Sequence, residues 1–185
     1  IIKLSESANS TFGIKSIDAE CTGGIQPTAP KDLKIEFIGD SITCGYGVDD
    51  EVKEHHFSTA TENATKTYAF KTAENLDADW SFVSFSGHGI ISGYTDNGQK
   101  QTQQTVPPYY AKLGRSYGSK SGDFLVQDKD WDFNSFVPDV IVINLGTNDD
   151  SYCKGDDEKA MEYAEAYEQF IEEVRSHNSN AQIIC

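Results

Sequence analysis

Three short polar segments each follow an apolar run, and each offers a group that could take part in acyl transfer. The first, Gly39-Asp40-Ser41-Ile42-Thr43, supplies the hydroxyl of Ser41. The second, Ser86-Gly87-His88-Gly89, supplies glycines whose backbone N–H groups a ligand can approach unobstructed. The third, Gly146-Thr147-Asn148-Asp149, supplies the side-chain amide of Asn148, a neutral donor. A nucleophile, a glycine N–H and an amide N–H are what a tetrahedral acyl-transfer intermediate needs.

The positions of these segments predict that they meet in space. In a parallel α/β sheet, ligands bind beyond the carboxyl ends of the strands, and each segment directly follows a predicted strand. Taken alone, Ser41 is equally well explained as a helix cap, and the glycines and Asn148 as turn residues. The ordered set of all three favours a site over these structural explanations.

The same residues resemble a known superfamily, the GDSL or SGNH hydrolases, in the blocks GDSIT, SGHG and GTND. The resemblance implies that Ser41 is the nucleophile, and that the Ser41 N–H, the Gly87 N–H and the Asn148 side chain form the oxyanion hole. It implies a three-layer, parallel-sheet α/β fold of the flavodoxin-like SGNH type.

The longer segments IEFIGDSITCGYG, SFSGHGI and PDVIVINLGTND are most similar to carbohydrate esterase family two. Its members, acetylxylan esterases and related deacetylases, join an N-terminal β jelly-roll module to an SGNH domain. The resemblance implies a serine esterase that removes O-acetyl groups from plant cell-wall polysaccharide such as acetylated xylan. It also implies that the protein is secreted or at the cell surface, although no signal peptide is visible in the sequence.

One part of the family pattern is missing. The family's catalytic histidine follows a later strand, so the resemblance implies that the general base lies beyond residue 185 and that the C-terminal part of the domain is absent. His88 is interpreted as a polar lining residue. None of the four histidines is assigned as the base: His55, His56, His88 and His177.

The surrounding sequence predicts the elements that hold these segments. Residues 1–30 contain two β-like pieces, IIKLSE and FGIKSIDAE, and are interpreted as the end of an N-terminal β-sandwich module plus a linker. Residues 31–185 are interpreted as the SGNH domain. Alternation and apolar runs predict strands at 33–38, 80–85, 140–145 and 181–185. Helical spacing predicts helices over 66–76 and 158–176, the second with Met161, Ala164, Tyr167, Phe170, Ile171 and Val174 on its apolar stripe.

The loop between 86 and 130 is long for a compact domain, which favours a functional role. It is rich in polar residues and tyrosine, and Tyr94 and Trp131 are the candidate sugar-stacking residues; Trp131 fits the core equally well. A polar loop argues against the alternative of a GDSL-type lipase or thioesterase. A second alternative is a non-catalytic carbohydrate-binding protein.

The amino-acid composition limits which kinds of partner the protein is expected to bind. The 185 residues include 30 acidic and 15 basic ones, and the net charge of −15 disfavours binding to nucleic acid or to an anionic membrane surface. The four cysteines lack metal-binding spacing, so neither a metal nor another cofactor is expected. The expected partner is an acetylated polysaccharide or oligosaccharide. The pairing of the cysteines and the oligomeric state stay open.

Overall fold

The computed structural model describes residues 1–118 and 125–185, in which a parallel sheet carries the fold. Its strands are β1 (Leu33–Gly39), β2 (Ala78–Ser84), β3 (Val140–Asn144) and β4 (Gln182–Ile184). They lie in the order β2-β1-β3-β4, and every neighbouring pair is parallel. The four strands predicted between residues 33 and 185 are therefore confirmed, with ends shifted by at most two residues.

The register of the sheet sets the strand ends level with one another. Gly39, the last residue of β1, lies opposite Ser84 on β2 and Asn144 on β3. Residues that follow these strands must therefore emerge at the same edge of the sheet. The register thus brings the first, second and third polar segments to one place.

Helices cover both faces of the sheet, as the three-layer prediction requires. On one face, Ile35 and Phe37 of β1 pack against Ala69 and Ala73 of the helix that crosses from β1 to β2. On the other, Ile38 and residues of β3 pack against the long helix before β4. The helices are α1 (Ser41–Cys44), α2 (Tyr68–Asn75), α3 (Pro107–Tyr110), α4 (Thr147–Cys153) and α5 (Asp157–His177).

The apolar stripe predicted for α5 is only partly correct. Phe170 and Val174 are buried, but Met161 is 65% exposed and Ala164 is also exposed. Tyr167 and Ile171 of the predicted stripe also pack against the core, whereas Tyr163 and Ala166 take the inner positions predicted for Met161 and Ala164. With about 3.6 residues per turn, Met161 lies almost on the opposite side of the helix from Tyr163, so both cannot face the sheet.

The predicted functional loop, 86–130, contains α3 and includes residues 119–124, which lie outside the described residues. Its described part packs against the sheet through Val106 and Tyr110, both almost completely buried. Tyr110 donates a hydrogen bond to Glu36 of β1 at 3.0 Å. The described part of the loop is thus packed against the core. None of the helices in the described ranges is both long and apolar enough to cross a membrane.

The N-terminal residues divide into two parts. Glu6 and Ala8 are buried against the domain, whereas residues 11–32 are exposed throughout. Neither IIKLSE nor FGIKSIDAE is a strand here, contrary to the prediction, because a strand needs a series of main-chain hydrogen bonds to a neighbouring strand. The bond from the Ala64 N–H to the Leu4 carbonyl at 2.9 Å does not extend into such a series among the described residues. Their assignment to a β-sandwich module stays a prediction. The four cysteines, all within the described residues, form no disulfide.

Candidate active site

Asn148 links the three polar segments. It opens α4 just after β3 and is 4% exposed. Its side-chain Nδ2 donates to Oδ2 of Asp40 at 3.2 Å and to the main-chain oxygen of His88 at 2.8 Å. Asp40 immediately precedes Ser41, and His88 immediately follows Gly87. The structure therefore brings the neighbours of both other predicted site residues onto one amide.

Ser41 is the first residue of α1 and is half-buried. Asp40 caps this helix, since its Oδ1 accepts from the Ile42 N–H at 3.0 Å. Neither the Oγ nor the N–H of Ser41 has a hydrogen-bond partner among the described residues. The carboxylate that could have bound the serine is directed to Ile42 and Asn148 instead, which leaves the hydroxyl and the amide of Ser41 available to a ligand.

Gly87 has a backbone conformation that explains why it is glycine. Its φ is +76°, in the left-handed region that other residues rarely adopt, and a Cβ there would meet no atom within 4 Å. Its carbonyl accepts from the Tyr94 N–H at 2.9 Å. Its own N–H has no acceptor within the part of the chain that the structure describes. Gly87 thus presents a free donor beside open space.

His88 is enclosed rather than lining a pocket, which corrects the sequence interpretation. It is 0% exposed; its Nδ1 donates to the Ser86 carbonyl at 3.0 Å, and its Nε2 accepts from Nε of Arg115 at 3.0 Å. Burial, with the Arg115 charge adding to it, lowers the pKa of His88 to about 4. Both ring nitrogens are occupied, so His88 cannot serve as the general base.

The remaining histidines also have other surroundings. His55 is exposed and pairs with Asp50 at 3.0 Å, and His56 is exposed. His177, in the last turn of α5, stacks on Phe133 with the ring centres 4.0 Å apart. Within residues 1–118 and 125–185, no histidine is hydrogen-bonded to Ser41. The prediction that the base lies outside the sequence is consistent with this but is not tested by it.

Asp149 holds the loop after β2, and the sequence interpretation missed it. It is 1% exposed, and its carboxylate accepts from the N–H groups of Ile90, Ile91 and Ser92 at 2.8–3.0 Å. A Cβ on Gly89 would lie 2.4 Å from Oδ2 of Asp149, so the close approach requires glycine. The sequence did contain a signal for this role: an acid directly follows Asn148, and a second segment of the same site is rich in glycine.

The two candidate sugar-stacking residues differ in position. Tyr94 is 61% exposed, and its N–H donates to the Gly87 carbonyl, so its backbone lies beside Gly87 while its side chain is open to solvent. Trp131 is half-buried beside Ala111, whose carbonyl accepts from its N–H at 3.0 Å. No hydrogen bond joins Trp131 to the three polar segments among the described residues. Tyr94 is therefore the better placed of the two.

One group of potential metal ligands occurs in the described residues. Ligand atoms of Glu6, Cys44 and Glu62 lie within 4.8 Å of one another, and all three side chains are buried. The carboxylate of Glu6 already accepts from the Ser86 N–H at 2.7 Å and from Nδ2 of Asn9 at 2.7 Å. Nothing in the sequence indicated this group, because its members come from separate segments. It contributes to the loop after β2 rather than to Ser41 itself.

Comparison with known proteins gives a family and relatives that match most of this chain. A model of the GDSL-like Lipase/Acylhydrolase family matches residues 37–185. The chain is 40% identical over 159 residues to cellulase/esterase CelE of Acetivibrio thermocellus, covering 85% of this chain and 17% of that protein. It is 32% identical over 160 residues to an acetylxylan esterase / glucomannan deacetylase of Cellvibrio japonicus, covering 82% and 41%.

Solved structures of carbohydrate esterases also superpose on this chain. The acetyl xylan esterase Est2A of Butyrivibrio proteoclasticus superposes with a TM-score of 0.76 at 28% identity, covering 89% of this chain and 49% of that one. A family two carbohydrate esterase of Clostridium thermocellum, solved with cellohexaose, gives 0.67 at 35% identity, covering 86% and 44%. The chain thus spans less than half the length of each of these relatives.

Proposed function

Since this chain belongs to the GDSL-like lipase/acylhydrolase family, we propose that it carries the nucleophile and oxyanion hole of a serine esterase that removes O-acetyl groups from plant cell-wall polysaccharide such as acetylated xylan. The observation that carries the proposal is the position of Asn148. It bonds to the neighbours of Ser41 and of Gly87, while the hydroxyl of Ser41 and the amides of both residues have no partner among the described residues.

In the proposed reaction, Oγ of Ser41 attacks the acetyl carbonyl carbon, and its proton passes to a histidine outside the 185 residues. The carbonyl oxygen becomes an oxyanion, which the N–H groups of Ser41 and Gly87 stabilise. The bond from the acetyl carbon to the sugar oxygen breaks, and that oxygen takes the proton. Water then attacks the acetyl-serine ester, which releases acetate and restores the hydroxyl.

Asn148 has two functions in this scheme. Both of its N–H groups are engaged, with Asp40 at 3.2 Å and with the His88 carbonyl at 2.8 Å. It therefore holds the site together before substrate binds. To donate to the oxyanion, it must release one bond, and the longer bond to Asp40 is the weaker of the two.

The proposed substrate is an acetylated polysaccharide or oligosaccharide, encountered outside the cell. Three features support it: the named activities of the relatives, the exposed aromatic side chain of Tyr94, whose backbone is bonded to Gly87, and the net charge of −15, which suits a neutral glycan better than a nucleic acid or an anionic membrane. The stacking role of Trp131 has weaker support, because no hydrogen bond connects it to the site among the described residues.

Hydrolysis of an aryl acetate by the full-length protein tests the proposal. Ser41→Ala should lower kcat at least about a thousandfold, because it removes the nucleophile. Ser135→Ala is the matched control: its hydroxyl is exposed and donates to the Asp132 carbonyl, so turnover should stay within about threefold. Equal turnover by the wild-type protein and Ser41→Ala would refute the esterase.

The preferred length of the acyl group and the binding of glycans test the substrate class. We expect acetyl esters to be hydrolysed faster than octanoyl esters, and acetate to be released from acetylated xylan. Because a relative was solved with cellohexaose, a non-catalytic binding function is the second candidate. Retention of cellohexaose binding by a wild-type protein that hydrolyses no ester would favour that candidate.

A further inference from the structure

Glu6 connects the N-terminal segment to the loop that carries Gly87. It is 7% exposed, and its Oε2 accepts from the Ser86 N–H at 2.7 Å. The same oxygen lies 3.7 Å from Sγ of Cys44 in α1, and Oε1 accepts from Nδ2 of Asn9 at 2.7 Å. One carboxylate therefore contacts both the helix that begins at Ser41 and the loop after β2, although 80 residues separate Glu6 from Ser86.

The bond to Ser86 matters because Gly87 is the next residue along the chain. The peptide group between Ser86 and Gly87 contains the Ser86 carbonyl and the Gly87 N–H, which point in opposite directions in a trans peptide. Nδ1 of His88 fixes the carbonyl side at 3.0 Å. Glu6 fixes the preceding N–H, so Ser86 is held on both of its peptide groups. The direction of the Gly87 N–H depends on these two bonds.

Hydrogen bonds to ionised carboxylates are shorter and about twice as strong as neutral ones, and the 2.7 Å contact lies in that range. Without Glu6, the Ser86 N–H would lose this acceptor, and the loop would be free to turn toward another one. An oxyanion donor acts only when it lies about 2.7–3.1 Å from the developing charge. A small rotation of the Ser86–Gly87 peptide would therefore affect the rate.

We propose that Glu6 is a positioning residue, which acts through Ser86 to orient the Gly87 N–H toward the acyl oxyanion. This inference rests on the proposed esterase function. It gives the buried N-terminal residues a role in the reaction: they supply an acceptor that the loop after β2 lacks within its own described residues. Glu6 touches neither substrate nor nucleophile, so its removal should change kcat while the binding of substrate stays the same.

Three variants of the full-length protein test this role. Glu6→Met keeps the length of the side chain but has no acceptor oxygen. Glu6→Gln keeps one amide oxygen for the Ser86 N–H. Ser7→Ala is the matched control, because its Oγ anchors the same segment to the main-chain N–H of Arg115 at 3.2 Å rather than to the Ser86 N–H. The readouts are kcat and KM for an aryl acetate, and amide hydrogen exchange at residues 86–88.

For Glu6→Met, we expect kcat to fall about tenfold to a hundredfold while KM changes less than about twofold. Glu6→Gln should recover kcat to within about threefold of wild type, and Ser7→Ala should match wild type. Exchange at residues 86–88 should be about tenfold faster or more in Glu6→Met alone. If Glu6→Met keeps wild-type kcat, or if Ser7→Ala loses as much as Glu6→Met, the inference is wrong.

The exchange measurement separates this inference from the proposed function. Equal turnover by wild type and Ser41→Ala would refute the esterase but would leave the exchange rates to decide whether Glu6 holds the loop. Unchanged exchange in Glu6→Met would refute the positioning role even in an active esterase. If Glu6→Met fails to fold, Glu6→Asp replaces it, because it keeps the charge but is one methylene too short to reach the Ser86 N–H in the same way. Faster exchange at residues 86–88 with normal KM would then support the role, and wild-type kcat and exchange would contradict it.

Discussion

Two carboxylates near the candidate site are equally buried but differ in their partners. Asp149 is 1% exposed and accepts hydrogen bonds from the N–H groups of Ile90, Ile91 and Ser92. Glu62 is 2% exposed, and neither of its side-chain oxygens has a partner among the described residues. The first carboxylate organises a loop, whereas the second lies beside Glu6 with no donor of its own in the described part of the chain.

The difference shows that burial alone does not reveal what an acid contributes. A buried carboxylate with several N–H donors stabilises the backbone that supplies them, but one without donors favours its protonated form. Burial, with the charge of Glu6 adding to it, raises the pKa of Glu62 to about 7. Burial also raises the pKa of Asp149, but there the amides of Ile90, Ile91 and Ser92 oppose it.

Removal of Asp149 is expected to have the largest effect. Asp149→Ala leaves three loop amides without their acceptor, and at about 1–3 kcal/mol for each unsatisfied group, we expect the free energy of unfolding to fall by at least about 3 kcal/mol. Urea denaturation measures this. Asp150→Ala, an exposed neighbour, should cost less than about 0.5 kcal/mol. Equal losses of unfolding free energy in the two variants would mean that the buried carboxylate of Asp149 stabilises the protein no more than an exposed one.

Gly87→Ala tests whether catalysis depends on the backbone conformation of Gly87, which lies in the loop that Asp149 holds. The φ of +76° makes alanine strained, at a cost of about 1–2 kcal/mol. Gly98→Ala is the matched control, with φ of +74° and also no atom within 4 Å of a Cβ. Both should lower stability similarly, but only Gly87→Ala should lower kcat, by about tenfold or more. Equal kcat in both would argue against an oxyanion role for Gly87.

Glu62→Gln gives the smallest expected effect and the opposite sign. Glu62 loses its proton near pH 4.5 in the unfolded chain and near pH 7 in the folded one. The folded state therefore binds more protons between these values, so its stability declines as the pH rises from about 4.5 to 7. Glu62→Gln removes this decline, and its melting temperature at pH 8 should exceed that of wild type by roughly 3 °C. At about pH 4, below both pKa values, the melting temperatures of the two proteins should lie closer together. A difference in melting temperature that stays constant with pH would contradict the raised pKa of Glu62.

The sequence predicted the sheet and the three chemical blocks well, because both depend on local patterns. The apolar run 140–145 and the block after it are contiguous in the chain, so periodicity and spacing reveal them. The level ends of β1, β2 and β3 are then a consequence of parallel topology. The same reasoning placed Ser41, Gly87 and Asn148 at one edge of the sheet, and the structure joins their neighbours there.

The contacts that hold the site were not predictable in this way. Glu6 and Ser86 are 80 positions apart, and Asp149 meets amides about 58 positions earlier, so no periodic signal connects them. His88 was interpreted as a lining residue because its position in a polar loop gives no sign that Arg115 reaches its Nε2. The phase of α5 was misjudged at Met161, because alanine and methionine fit either face of a helix.

Covalent labelling of the nucleophile tests the central claim most directly. A p-nitrophenyl alkylphosphonate reacts with an activated serine, whose Oγ bonds to phosphorus as p-nitrophenolate leaves. In the full-length protein, peptide mass spectrometry should find the phosphonyl group on Ser41, and Asn148→Ala should slow the labelling about a hundredfold by removing an oxyanion donor. Labelling of another residue, or an unchanged rate in Ser41→Ala, would contradict the account.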